Sequence, residues 1–378
     1  MESDRQSADT RILHTRIEIA DARPNVTPLF QNSAFLSDSP YFYTRKGNPN
    51  CSELESVLAK LEGCKHALAV TTGMTAINLC LRLLRPGDHV LINELIYGCS
   101  FKLLKDHCSH FGISLDVVDL TDSVKWTSKI RKETKMVFFE TPTNPLLKTI
   151  CIEEVSRLTK KTCPEAWVVV DNTWATPYFQ KPLELGADIC VVSATKFYSG
   201  HSDCMAGVIS TNSDSIAQSI SSFRFYGGAI LDPHSCWLLR RSMQTFGLRM
   251  RDHVQKLKDM AAFLNTRKEV VRIYLPETNQ RQLKDYGCIL FFELDEKFEE
   301  KVSAFMRSLE LFDLGTSMAA VVSSVAQPYT GSHLSLTEGE KSRMGIKKNL
   351  IRLCFGLEDK SDLQKDLEQA FAKLHLTT

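Results

Sequence analysis

The sequence has no apolar run approaching the ~20 residues that a membrane-spanning helix needs. Its opening, MESDRQSADTRILHTRIE, mixes both charge signs and has no apolar h-region. No membrane or secretory route is therefore expected, and the chain is read as cytoplasmic. An excess of either charge is missing as well. The 46 Lys and Arg stand against 45 Asp and Glu, a formal net charge of +1, which removes the bulk attraction toward nucleic acid or an anionic membrane. Twelve cysteines are present, but without a CxxC pair or regular spacing, so they read as reduced thiols rather than a disulfide framework, and no metal site is expected. Internal repeats and low-complexity segments are absent, which excludes a solenoid or array. What remains is a 378-residue chain, 43% hydrophobic, able to bury a large core and suited to a small-molecule ligand.

Three stretches differ in texture. Residues 1–45 are broken by Pro24, Pro28 and Pro40 and suit an extended arm reaching a neighbouring subunit. Over 46–240, the apolar runs HVLIN (89–93), LDVVDL (115–120), KMVFFE (135–140), AWVVVDN (166–172) and DICVVSAT (188–195) alternate with helical segments. That alternation predicts an α/β unit with a mainly parallel sheet covered on both faces. Over 241–378 the pattern changes to one amphipathic helix around RRSMQTFGLRMRDHVQKLKDMAAFL, a strand at CILFFEL (288–294) and a closing helix from about Asp359. A smaller C-terminal α+β domain is expected there.

Open α/β sheets hold their ligands at the carboxyl ends of strands. AWVVV ends in Asp171, DICVV ends in Ser193, Thr195 and Lys196, and MVFF ends in Glu140 with Asn144 just beyond. A lysine and a carboxylate at two such ends suit a pyridine-aldehyde cofactor, which takes an amine as Schiff-base partner and an anion to keep its ring nitrogen protonated. Taken singly, Lys196 reads as a surface residue and Asp171 as a helix cap. Their joint context points to catalysis. In AVTTGMTAINLCLRLL a strand turns at Thr72 and Gly73 into a helix, so the backbone N–H groups at Gly73 and Met74 would cradle a phosphate, with the Ser193 and Thr195 hydroxyls as further donors.

The run VVVDNTWATPYFQKPLELGADICVVSATKFYSGHSD resembles the signature region of the pyridoxal-phosphate (PLP)-dependent cysteine/methionine metabolism family. That family includes cystathionine γ-lyases and γ-synthases, methionine γ-lyases and O-acylhomoserine sulfhydrylases. YTRKGNPN (43–50), TTGMTAINL (71–79), ELIYGCSF (94–101), ETPTNPLLKTI (140–150), GAILDPHSCWLLRRSMQT (228–245) and IRLCFGLED (351–359) extend the resemblance through most of the chain. It implies the aspartate aminotransferase-like architecture, fold type I.

The resemblance implies that Lys196 carries the cofactor and shuttles protons, that Asp171 partners the pyridinium nitrogen, and that Tyr97 stacks on the ring and exchanges a proton with the substrate. Tyr43 and Arg45 match the pair that crosses from a neighbouring subunit to the cofactor phosphate, which implies a homotetramer built from dimers with shared sites. Arg352, at the end of the strand-like NLIRL, matches the arginine that takes the substrate α-carboxylate with a fork of donors. Ser317, Asn144 and Glu140 match contacts near it.

The departures bear on substrate. Where many members have Glu-Ser-Leu-Gly-Gly, this chain reads Thr316, Ser317, Met318, Ala319, Ala320, and Thr316 has no carboxylate for a distal substrate ammonium. Asn50 replaces a common Thr. Cys99, where most members have Gly, resembles methionine γ-lyases; a small buried thiol is its plainer reading. The expected reaction is γ-elimination, a carbon–sulfur lyase outcome. Its alternatives are γ-replacement by a thiol and a specialised reaction on another γ-substituted amino acid. A cofactor-free relative is disfavoured by the joint presence of Lys196, Asp171, Tyr97, Ser193, Thr195 and Arg352.

Overall fold

A computed structural model describes residues 7–15, 24–315, 318–331, 333–334 and 336–376. The chain opens with α1 (Ala8–His14), α2 (Pro49–Glu62), β1 (His66–Val70) and α3 (Gly73–Leu81). It continues through β2 (His89–Asn93), α4 (Gly98–His110), β3 (Ser114–Val118), α5 (Ser123–Thr127), β4 (Thr134–Glu140), α6 (Ile152–Thr162) and β5 (Trp167–Asp171). Then follow α7 (Thr176–Phe179), β6 (Ile189–Val192), β7 (Gly207–Thr211), α8 (Asp214–Gly227), α9 (Pro233–Met243) and α10 (Phe246–Asn265). The last part holds β8 (Val270–Tyr274), β9 (Ile289–Leu294), α11 (Val302–Ser308), β10 (Asp313–Leu314), β11 (Ser324–Ala326), α12 (Glu338–Arg343), β12 (Leu350–Cys354) and α13 (Lys360–Leu374).

A seven-stranded sheet runs β1-β7-β6-β5-β4-β2-β3. Its β3, β2, β4, β5 and β6 pair in parallel, and β7 is antiparallel to both β6 and β1. The apolar runs explain it: alternate residues of one strand enter opposite cores, because side chains on a strand change face at every step. Met136 and Phe138 pack with α3 and α4, while Val137 and Phe139 pack with α6. Helices on both faces make continuous hydrophobic strands stable there.

The second sheet runs β10-β11-β12-β9-β8 and is antiparallel except for β10 and β11. Phe292 of β9 stacks edge-on to Phe305 of α11, and Phe305 lies 5.0 Å, ring to ring, from Phe371 of α13. The single amphipathic helix expected around 240–264 is two helices, α9 and α10, separated at Gln244 and Thr245. Arg249 gives the break a use, reaching back to the Ser242 carbonyl at 3.2 Å and to Phe197 and Tyr198 carbonyls at 2.6 and 3.2 Å. Asn50 ties the arm to the start of α2, accepting from the Phe30 N–H and donating to the Pro28 carbonyl, each at 2.8 Å.

Candidate active site

A cavity of about 790 Å³ opens at the carboxyl ends of β1, β4, β5 and β6 and is closed on one side by β12. Eleven of the residues expected at the site line it, from Gly73 and Met74 on α3 to Arg352 on β12. The other eight are Lys196, Asp171, Tyr97, Asn144, Glu140, Ser193, Thr195 and Cys99.

Thr72 caps α3, its hydroxyl accepting from the Thr75 N–H at 3.0 Å. The turn is tight because Gly73 lies against Ser193: a Cβ added at Gly73 would stand 2.8 Å from Ser193 Cβ and 3.0 Å from its Cα. Thr195 hydrogen-bonds with the Ala206 backbone, accepting from its N–H at 3.0 Å and donating to its carbonyl at 3.2 Å. Its hydroxyl proton must leave that carbonyl to serve a phosphate.

Asp171 Oδ1 accepts from the Thr173 N–H at 3.0 Å and its hydroxyl at 2.6 Å, and that hydroxyl accepts from the Ser193 N–H at 2.8 Å. A hydrogen-bonded relay thus joins the phosphate-side turn to the carboxylate. Burial raises the pKa of Asp171, against those two hydrogen bonds from Thr173. Lys196 is half-buried, and desolvation, followed by repulsion from Arg352, lowers its pKa. A lysine biased toward the free amine, a buried acid lacking a cation, and a glycine-lined turn at a helix start fit PLP at its amine, ring-nitrogen and phosphate ends.

Both Glu140 oxygens are occupied by protein donors: Oε2 accepts from the Tyr97 N–H at 2.9 Å, and Oε1 from the Trp174 indole. Burial, then repulsion from Asp171, raises its pKa well above the ordinary range. Its expected contact with substrate becomes, in this geometry, a brace that fixes where α4 begins. The Tyr97 phenol is pushed up to about 12, first by burial, then by its hydrogen bond with Cys99 and the nearby Glu140 charge. At neutral pH it is a proton donor. Cys99 is exposed to the cavity rather than a packed core thiol.

Arg352 is buried in the middle of β12, opposite Ala326 and Phe291, and not at a strand end as its sequence context suggests. The antiparallel pairing continues to Cys354, so the side chain enters the cavity from the flank of the second sheet. Its Nη2 reaches the Gly315 carbonyl at 3.4 Å, and burial lowers its pKa. Thr316 and Ser317 lie outside the described residues.

Tyr43 and Arg45 do not line this cavity. Arg45 donates to the Phe225 carbonyl at 2.8 Å and stacks over the Phe225 ring at 4.5 Å. The sequence reading missed Thr173, Trp174, Met205 and Leu334, which also line the wall. Thr173, two residues past Asp171, was findable as the partner of a strand-end Asp; Met205 and Leu334 carry no local signal.

The family model described as "Cys/Met metabolism PLP-dependent enzyme" matches residues 9–372. A cystathionine beta-lyase of Lactococcus lactis subsp. cremoris is 36% identical over 381 residues, covering 97% of this chain and 99% of that protein. An L-methionine gamma-lyase of Fusobacterium nucleatum subsp. polymorphum is 37% identical over 374 residues, covering 92% and 93%. Among solved structures, cystathionine gamma synthase from Xanthomonas oryzae pv. oryzae in complex with aminoacrylate and cysteine aligns with a TM-score of 0.92 at 32% identity, covering 98% of each chain.

Proposed function

This chain belongs to the Cys/Met metabolism PLP-dependent enzyme family, and within it we propose a carbon–sulfur lyase that performs γ-elimination on an amino acid with an apolar thioether substituent, as methionine has. The observation that carries this reading is the convergence of Lys196, Asp171, Tyr97 and Arg352 on one cavity whose wall includes Met205, Met318 and Leu334. The carboxylates among the described lining residues are Glu140 and Asp171, and both already accept protein donors. Glu140 has both oxygens engaged, and Asp171, with donors on Oδ1 alone, is assigned to the ring nitrogen, so neither is placed to take the distal ammonium of cystathionine, which favours a substituent without one.

Bound PLP supplies a protonated ring that spreads the negative charge left when the substrate Cα loses its proton. Arg352 is suited to hold the α-carboxylate through paired N–H donors, which fixes the Cα–H direction. Lys196, its protonated form disfavoured by burial and by Arg352, takes the Cα proton. Lys196 is also placed to take a proton from Cβ, whose electron pair forms the Cβ=Cγ bond as the Cγ–S bond breaks, and Tyr97, protonated at neutral pH, donates its proton to the departing sulfur. In sum, the γ-substituted amino acid and water give a 2-oxo acid, ammonia and a thiol.

Gamma-replacement is the second reading, supported by the match to a cystathionine gamma synthase; it uses the same residues and differs in whether a thiol, rather than water, is the acceptor. We further propose three units, an arm (1–45), a PLP-binding domain (46–240) and a small domain (241–378), working in the cytoplasm. Two arm residues, Leu36 and Phe42, are 81% and 72% exposed, and Tyr43 and Arg45 stand apart from their own cavity. Both facts favour a homotetramer built from dimers in which the pair completes a neighbour's site.

The test is to supply methionine, cystathionine, O-acetylhomoserine and O-succinylhomoserine in turn, with and without cysteine, and to assay 2-oxo acid while following the cofactor's visible band. Thiol-independent 2-oxobutyrate from methionine is expected. Product only when ester and thiol are present together moves the assignment to γ-replacement.

A further inference from the structure

A second cavity, of about 540 Å³, lies between the outer face of α4, the edge strand β3 and α12. Its floor is apolar, made by Phe101, Ile113, Leu115 and Met344. Its rim carries two cations, Lys105 and Arg343, and two carboxylates, Glu94 and Glu340. The two acids differ. Glu340 belongs to the capping box of α12, its Oε2 accepting from the Thr337 N–H at 2.8 Å and hydroxyl at 2.9 Å. Those bonds, and then the Lys105 and Arg343 charges, hold it below the ordinary range. Glu94 is held above it, by burial and then by Asp119, with Lys148 and Arg343 only partly opposing. Among the described residues the Glu94 carboxylate makes no hydrogen bond or ion pair, whereas that of Glu340 is engaged by Thr337.

We propose that this cavity binds a free α-amino acid with an apolar side chain, its carboxylate between Lys105 and Arg343, its ammonium on Glu94 and its side chain on the apolar floor. The pattern of one pair of cations, one under-compensated acid and a greasy floor matches that zwitterion better than a simple anion, which Glu94 would repel, or an apolar molecule, which would leave four charges to be desolvated.

The position gives such a ligand leverage on catalysis. Tyr97 stands at the N-cap of α4, and the helix's first-turn residues Cys99 and Ser100 line the catalytic cavity, while Phe101, Lys105, Cys108 and Ser109 line the second one. The opposite wall is shared in the same way, with Gly331 and Leu334 at the catalytic mouth and Glu340, Arg343 and Met344 on the second cavity. Leu95, Leu336, Met344 and Ile346 form one apolar cluster linking the two walls. An occupant bridging α4 and α12 therefore acts on both walls of the active site at once.

The experiment is calorimetric titration of the PLP-loaded full chain with L-leucine, run in parallel with the cofactor's visible absorbance. Leucine has no leaving group at Cγ, so occupancy of the catalytic cavity perturbs the band without turnover, and occupancy of the second cavity gives heat without a band change. Two leucines per chain are expected. Arg343→Ala and Lys105→Ala should each weaken the band-silent site by at least about tenfold, the value of one charge-assisted hydrogen bond, and leave the amplitude and stoichiometry of the band titration unchanged, its midpoint moving only by the coupling between the two sites. One leucine per chain, or a band-silent site unmoved by both substitutions, overturns the proposal. The heat signal stays readable even without a cofactor band, so failure of the catalytic reading is distinguishable from failure of this one.

Discussion

Glu140 and Tyr97 illustrate how a neighbour sets what a single side chain can do. Replacing Glu140 by Gln leaves one acceptor where two donors, the Tyr97 N–H and the Trp174 indole, need one each. Glu140→Gln is expected to cost about 1–3 kcal/mol in stability and to lower kcat more than it raises KM, read by denaturant titration and steady-state kinetics. Lys196→Ala should abolish turnover and the cofactor's lysine-dependent visible band. Three buried groups contribute to the acid sensitivity with opposite signs. His253 and His333 are depressed by burial from 6.5 to about 4, so each contributes stability that is present above pH 6.5 and lost as pH falls toward 4. Glu62 is raised by burial from 4.5 to about 7, so it has the opposite sign and gains stability over nearly the same fall. Each gap is worth about 3 kcal/mol. Denaturant titrations of parent and His253→Phe from pH 7 to pH 4 should show the variant losing about 3 kcal/mol less stability than the parent over that fall; identical pH dependence of the two proteins would contradict the assignment.

At the scale of elements, the active site depends on two close approaches. The β1–α3 turn meets the end of β6 at Gly73, where even a methyl group would press on Ser193 backbone. Gly73→Ala should therefore push the helix start away from its phosphate position and weaken PLP affinity by about tenfold or more, equivalent to roughly 1.4 kcal/mol, measured by reconstituting the cofactor-free protein. The second approach is that of α10 to the segment after Lys196. Arg249 binds the Phe197 and Tyr198 carbonyls, and its guanidinium fills the space beside Gly200, which holds φ +68°. Arg249→Met leaves buried carbonyls without donors and should destabilise the chain by about 3 kcal/mol, with a matching shift in the thermal unfolding of the cofactor-loaded protein. The strand at each of the five quoted apolar runs was legible because alternation and strand-end polarity are local properties. The α9–α10 break was not, because the amphipathic period runs through it and only contacts with residues far away in sequence terminate the first helix.

For the whole molecule, the decisive question is whether one chain holds a complete site. Arg45 turns to Phe225 within its own chain, so its expected role at a phosphate requires a second chain. Co-expressing Arg45→Ala with Lys196→Ala chains tests it: each alone should be strongly impaired, and mixed assemblies should regain a fraction of parent activity because some interfaces pair an intact Lys196 with an intact Arg45. Absence of recovery would place Arg45 within its own chain's structure instead.

By itself the sequence determined the α/β sheet, the turn at Thr72 and Gly73, the strand-end positions of Asp171 and Lys196, and, through its resemblance to a known family, the cofactor and the candidate residues to serve it. These follow from short-range patterns or from motifs that travel as contiguous strings. Only the tertiary structure decided which valences those residues have left. Glu140 is occupied by Tyr97 and Trp174, Thr195 by Ala206, and Asp171 by Thr173. It also decided that Arg352 enters from mid-strand and that α4 separates two cavities while lining both. Such facts depend on which distant segments are packed together and how their polar groups are satisfied, and no local period encodes that.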